Sequence, residues 1–176
     1  PMGMVPSFST QRLAVRDWRE VARDRAAWAE LQAALEVILI EPVLRHLPTD
    51  LQHSGPGFDK RAWWATLTAR NAVGVVTPAA PDDPMGFLTL REERLAQCAS
   101  HMWIGYLFAE QAWGRGYATE LVRGAIEALR GPSDLQLRAG VAMDNAASMH
   151  VLRKAGFVAD PESSGDDLTV FTFPKP

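Results

Sequence analysis

The 176-residue chain is 47% apolar and 22% charged, an ordinary balance for a globular protein with one hydrophobic core. Its net charge of −3 excludes the basic footprint of a nucleic-acid binder and suits a cationic amine as partner, and no apolar run approaches the roughly 18 residues of a membrane span. With Cys98 as the single cysteine no internal disulfide is available, which points to a reducing, cytoplasmic setting, and no signal-peptide pattern is visible.

One domain over 1–176 is expected, with the first nine residues as a loose tail. Leu13 and Val15 alternate with polar residues and predict a strand over 12–17. Val21, Ala22, Trp28, Leu31, Leu35 and Leu39 then recur at helical spacing, predicting one helix over 21–40 that Pro42 ends. The stretch 46–57 reads as irregular, with Pro48, Gly55 and Pro56 as loop signals. Asp59 is placed to cap a helix over 59–70. A short strand over 72–76, a proline-rich turn over 77–84 and a strand over 85–91 come next. A polar turn is expected over 91–100, followed by a nearly continuous apolar strand over 101–108. Ala118, Leu121, Val122, Ala125 and Leu129 share one helical face, and Gly131 and Pro132 end that segment. Leu135, Leu137, Ala139 and Val141 alternate as a strand. Asn145 is a good N-cap for a helix whose Ser148, Val151, Leu152 and Ala155 share a face, and a last strand covers Leu168–Phe173.

The join between the apolar strand and the long helix carries the chemistry. A short loop there holds Gln111, Gly114 and Gly116. The first N–H groups of a helix have no internal partner, and the helix dipole makes that end partly positive. Glycines let the backbone approach a bulky anion, so the join predicts a phosphate site made of main chain. A nucleotide P-loop run, G-x-x-x-x-G-K-[ST], does not occur. The dinucleotide pattern G-x-G-x-x-G is met by Gly114 and Gly116 but has Thr119 at its third glycine, with Asp134 at ribose-contact spacing. An NAD-dependent oxidoreductase is thus a distant alternative.

Q-A-W-G-R-G at 111–116 resembles the [QR]-x-x-G-x-[GA] pyrophosphate loop of the GNAT superfamily of N-acetyltransferases. The longer W-G-R-G-Y-A-T-E-L is similar to the RimJ/RimL branch, which acetylates protein N-terminal amino groups and small amines. T-Q-R-L-A-V-R-D-W at 10–18, Ile104-Gly105-Tyr106, and N-A-A-S-M-H-V-L-R-K-A-G-F at 145–157 are similar to further signatures of that branch. The four occur in family order, whereas 37–84 matches poorly. The resemblance implies an α/β fold, a mixed twisted sheet of about six or seven strands with helices on both faces. It also implies direct transfer from acetyl-CoA to an amine, without a metal, and it leaves a homodimer open. In the family the helical region and loop ahead of residue 70 form one wall of the acceptor site, so acceptor identity is written where the match is weakest.

By that resemblance, the main chain of Ala112, Trp113, Gly114, Arg115, Gly116, Tyr117 and Ala118 holds the donor's pyrophosphate. Backbone groups near Tyr106 and Phe108, on a strand that splays open, pair with the pantetheine arm, and an N–H there stabilises the developing oxyanion. Arg115 is either a phosphate contact or a solvated side chain. Trp113 either covers the cofactor or packs at the loop, and its large apolar area favours packing. Asn145 is implied to contact the pantetheine arm, capping being its plainer role. Many relatives carry a tyrosine acid four residues before G-F, where this chain has Leu152. Ser148 is therefore the expected donor of a proton to the leaving thiolate, an ordinary helix serine being the alternative.

The branch commonly has an acidic residue before I-G-Y, where this chain has Trp103. His101, on the same strand face, is the candidate base, with a structural histidine as the alternative; Glu92 and Glu93 are weaker candidates in an expected turn. At pH 7 about a tenth of α-amines are neutral but only about one lysine in 2,500, so a site without a carboxylate suits an α-amine acceptor. The same Trp103 favours a rival, a non-catalytic acyl-CoA-binding sensor or scaffold. Cys98, in a turn-like stretch with no histidine adjacent to it in sequence, argues against a covalent acetyl-cysteine.

Overall fold

The computed structural model describes residues 3–53, 55–80, 83–96, 100–131 and 135–174; Cys98, Pro132 and Asp134 lie outside them. Eight strands form one sheet: β1 Phe8–Ser9, β2 Leu13–Asp17, β3 Ala72–Pro78, β4 Gly86–Arg94, β5 Ser100–Phe108, β6 Leu135–Ala142, β7 Val158–Ala159 and β8 Leu168–Phe173. Their order is β1-β2-β3-β4-β5-β6-β8-β7. Only β5 and β6 pair in parallel; every other neighbour is antiparallel. The count exceeds the six or seven expected because β1 and β7, at the two edges, are two residues each. Such short strands leave no alternation to read.

Side chains alternate across a strand, so the sheet divides the apolar residues into two cores. Leu88, Leu90, Ile104 and Phe108 face one way, against α5 (Tyr117–Ala128) and α6 (Ala146–Lys154). Val73, Val75, Phe87 and Leu107 face the other way, against α1 (Trp18–Arg23), α2 (Arg25–Ile38), α3 (Glu41–Leu44) and α4 (Lys60–Arg70). Trp64 is central to the second core. Its ring lies 5.2 Å from Phe87, 5.9 Å from Trp18 and 6.5 Å from Trp28, mostly edge to face.

Four expectations change. The helix expected over 21–40 is two helices. Asp24 ends α1 and caps α2, its carboxylate accepting from the N–H groups of Ala26 and Ala27. Pro42 sits in the first turn of α3, where a missing N–H costs nothing. The polar segment taken as a turn over 91–100 begins as strand: Arg91 to Arg94 pair with Trp103 to Ser100. Cross-strand bonds replace apolar alternation there, with Trp103 Nε1 donating to Glu93 Oε2 at 2.7 Å and Ser100 Oγ to Glu92 Oε1 at 3.2 Å. Part of the segment expected as a loose tail is ordered, Phe8 and Ser9 pairing with β2 as β1. Val5 is buried and its N–H donates to the Asp17 carboxylate at 2.9 Å. Asp17, the one buried charged side chain among the described residues, also caps α1 and pairs with Arg19 at 3.0 Å.

Candidate active site

The site is built where β5 leaves β6. The parallel ladder runs from Ser100↔Leu135 to Trp103↔Arg138 and stops. From Ile104 to Phe108, β5 keeps β4 on one side and has no strand on the other. A 3₁₀ turn, Glu110–Ala112, then leads into the glycine loop. Gly114 and Gly116 have φ of 74° and 80°, a region that side-chain-bearing residues enter at a cost. A β-carbon on Gly114 would meet nothing within 4 Å, so that space lies open to a ligand. Gly116 precedes the first residue of α5 and offers no side-chain cap, whereas α1, α2, α4 and α6 are each capped by Asp or Asn. The first N–H groups of α5 therefore face outward without a side-chain acceptor, as a pyrophosphate would require. The arrangement fits coenzyme A.

The loop is strapped from the segment just ahead of β2. Thr10 Oγ1 and Arg12 both donate to the Glu120 carboxylate, with Arg12 Nε 2.7 Å from Oε1. The Arg12 guanidinium also donates to the Arg115 carbonyl at 2.9 Å and lies 4.3 Å above the Tyr117 ring. Burial pushes the Glu120 carboxyl up, but the Thr10 and Arg12 bonds more than offset it, so its pKa sits below the usual glutamate value. Thr10 and Arg12 belong to a signature that sequence reading used only as a family mark. A recess of about 640 Å³ opens beside this strap, with Arg12, Arg123 and Lys154 among its walls. The Arg115 side chain is exposed, and Ala112 is buried beneath the loop. Trp113 is 47% exposed, and its Nε1 donates to the Phe108 carbonyl at 3.0 Å. That carbonyl, expected to be available to a pantetheine arm, is engaged inside the chain; Ala118 is half-buried in the first turn of α5.

On the α5/α6 side of the splay, Asn145 Oδ1 accepts from the Ser148 N–H at 3.2 Å, capping α6. The Ser148 hydroxyl lies 2.7 Å from the Tyr106 hydroxyl. Burial pushes the Tyr106 phenol up to about 12, with the Ser148 bond pulling the other way, so it stays protonated at neutral pH. A protonated phenol can donate to Ser148 Oγ and leave the serine's own proton free. Leu152, in the tyrosine position of many relatives, is fully buried core. The phenol that Leu152 denies to the helix thus arrives from the strand. Sequence reading missed this pairing, having assigned Tyr106 a backbone role alone.

His101 is not brought to this pair. It sits on the opposite face of β5 from Tyr106, in the closed part of the ladder opposite Gln136, with Nδ1 3.8 Å from Glu93 Oε2. Burial and the nearby Arg138 hold its pKa below the usual histidine value, outweighing Glu93. Glu93 is exposed, and the Trp103 indole lowers its pKa. Among the described residues no group of three or more His, Cys, Asp or Glu could hold a metal ion, and no helix is long and apolar enough to cross a membrane.

The chain matches the family model described as an acetyltransferase (GNAT) domain over residues 12–158, and it belongs to that family. Among solved structures it is similar to a GCN5-related N-acetyltransferase from Brucella melitensis, at TM-score 0.74 and 15% identity, covering 99% of this chain and 81% of that one. A GNAT-family acetyltransferase from Bacillus anthracis gives TM-score 0.71 and 14% identity over 97% and 99% of the two chains. Mycobacterium smegmatis RimJ, solved in complex with CoA-disulfide, gives TM-score 0.64 and 18% identity over 95% and 86%. Among proteins of curated function, none matches this chain in sequence. At such identities the structural neighbours establish the GNAT fold.

Proposed function

We propose that this GNAT protein is an acetyl-CoA-dependent N-acetyltransferase of RimJ/RimL type, transferring acetyl directly to a primary amine. The acceptor class is a protein N-terminal α-amine or a small amine, and the whole chain acts as one catalytic unit. The observation that carries the reading is the 2.7 Å contact between Tyr106 and Ser148 at the open side of the β5–β6 splay. Acetyl-CoA supplies an acetyl thioester. The uncapped start of α5 and the loop 112–118 hold its pyrophosphate, with Arg12, Arg123 and Lys154 beside the loop. The β5 edge beyond Trp103 offers main-chain groups to the pantetheine arm. Asn145 shapes the start of α6 and sets Ser148, whose Oγ gives a proton to the leaving sulfur while Tyr106 donates to that Oγ.

Replacing Ser148 by Ala should lower kcat on the order of 10²-fold, the usual worth of a placed general acid. Acetyl-CoA should still raise the melting temperature of the variant. For saturation near 100 times Kd the stabilisation is about 2.7 kcal/mol, a shift of roughly 5–10 °C for a domain this size. A melting shift with NAD in place of acetyl-CoA would remove the reading altogether. A second reading, an acyl-CoA sensor, is favoured by Trp103 standing where the branch commonly has an acid. Binding of acetyl-CoA with no turnover across an amine panel would establish it instead.

A further inference from the structure

The acetyltransferase reading leaves the acceptor's proton without a destination. Three of the four histidines are poorly placed to take it. His101 is on the far face of β5 in the closed ladder, and His53 and His150 are exposed, His150 on α6 beyond Ser148. The fourth is different. His46 follows α3 in the segment that matches the family least, and it reaches across to the turn between β6 and α6. Its Nδ1 lies 3.4 Å from Asp144 Oδ1, outside hydrogen-bond geometry, and that nitrogen is shielded from water with no hydrogen-bond partner. Asp144 directly precedes Asn145, the residue that caps α6 and fixes Ser148.

We propose that His46 is the catalytic base of this site, oriented by Asp144, and that its Nε2 takes the proton of the acceptor amine. The proposal rests on the acetyltransferase reading above. Asp144 stands four residues ahead of Ser148, on the turn that opens α6, so the imidazole that meets Asp144 lies at the same helix start that carries the acid. The wall it belongs to and the turn it meets lie on different sequence segments, so a substrate entering between them would be read by both.

Arg45, on the same turn as His46, donates to Glu41 at 2.7 Å in an i,i+4 pair, and Asp144 faces them from the other side. Glu41 and Arg45 largely cancel, which leaves Asp144 to hold the imidazolium after transfer. In the step itself, the amine nitrogen bonds to the thioester carbonyl carbon and loses its proton to His46 Nε2. The carbon–sulfur bond breaks with its electron pair on sulfur, which takes a proton from Ser148; His46 then releases its proton to water and Ser148 recovers one.

The test is the pH dependence of kcat/KM with acetyl-CoA and a short peptide bearing a free N-terminus, repeated with a panel of small primary amines. The wild type should show an acid limb, the loss of rate as the base becomes protonated. His46→Gln should lower kcat/KM on the order of 10²-fold and flatten that limb, Asp144→Asn should show a smaller loss, and imidazole added to His46→Ala should restore part of the rate. Melting shifts with acetyl-CoA should persist in all three. A limb that survives in His46→Gln overturns the proposal, as does a limb lost in His101→Gln instead. A His46→Ala variant that melts lower and gains nothing from imidazole would make the pair a structural contact only. If the wild type binds acetyl-CoA and turns over no amine, the functional reading fails first and this base falls with it.

Discussion

The two sides of the sheet are built on different terms. On the α5/α6 side, binding chemistry is main chain: two glycines at positive φ, a helix start without a cap, and a strand edge released from its neighbour. On the α1–α4 side, three of the four helices are capped by aspartate, and tryptophans fill the space between them and the sheet. The first side is chemically open and spends nothing on its own helix end; the second is closed upon itself. What separates them is which groups go unpaired: main-chain groups at the start of α5 and along the β5 edge on the first side, and the buried side-chain nitrogens His46 Nδ1 and Trp64 Nε1 on the second.

Deleting the Trp64 side chain tests that division most severely. Trp64→Ala removes the ring that Trp18, Trp28 and Phe87 pack upon, and should destabilise by about 3–5 kcal/mol. Denaturant unfolding would measure it, and acetyl-CoA affinity of the folded protein should not move. A Trp64→Ala variant with weakened acetyl-CoA binding would break the independence of the two sides.

A smaller effect is expected from Tyr106 at high pH. Its phenol is raised to about 12 in the folded protein against about 10 unfolded, so the stabilisation is full below pH 10 and is lost as pH climbs toward 12. The loss should reach about 2–3 kcal/mol in wild type and vanish from that window in Tyr106→Phe, as read by unfolding at stepped pH. Equal alkaline sensitivity of the two proteins would show the phenol to be less enclosed than its packing indicates.

The smallest change is at the loop. Gly114→Val forces a branched residue to positive φ while its β-carbon meets no neighbour, so the strain falls on the ligand-bearing conformation. Acetyl-CoA Kd should rise roughly tenfold or more, with a drop in melting temperature smaller than that of Trp64→Ala. Calorimetric titration of the variant would sharpen the contrast with Trp64→Ala, which should do the reverse.

That contrast also explains what the sequence disclosed. The glycine loop, the helix after it and the Asn145 cap were legible because main-chain chemistry forces glycine and asparagine into fixed places. The Asp59 cap was legible for the same reason. The break at Asp24 was hidden, since α1 and α2 pack against one core and the apolar period runs across the join. The polar arm of the β4–β5 hairpin escaped because its side chains satisfy one another across strands instead of alternating. Tyr106 with Ser148, and His46 with Asp144, are through-space pairs between distant segments, and no spacing rule joins them.

The early end of the β5–β6 ladder has one more effect. It places a bare strand edge in the interior of a sheet, where other proteins keep such edges at the rim and blunt them with charge or proline. The missing rungs leave main-chain groups of Ile104 to Phe108 without a strand to bond on that side. Those backbone amides between Ile104 and Phe108 that point away from β4 would then exchange with solvent faster than the amides of the closed rungs.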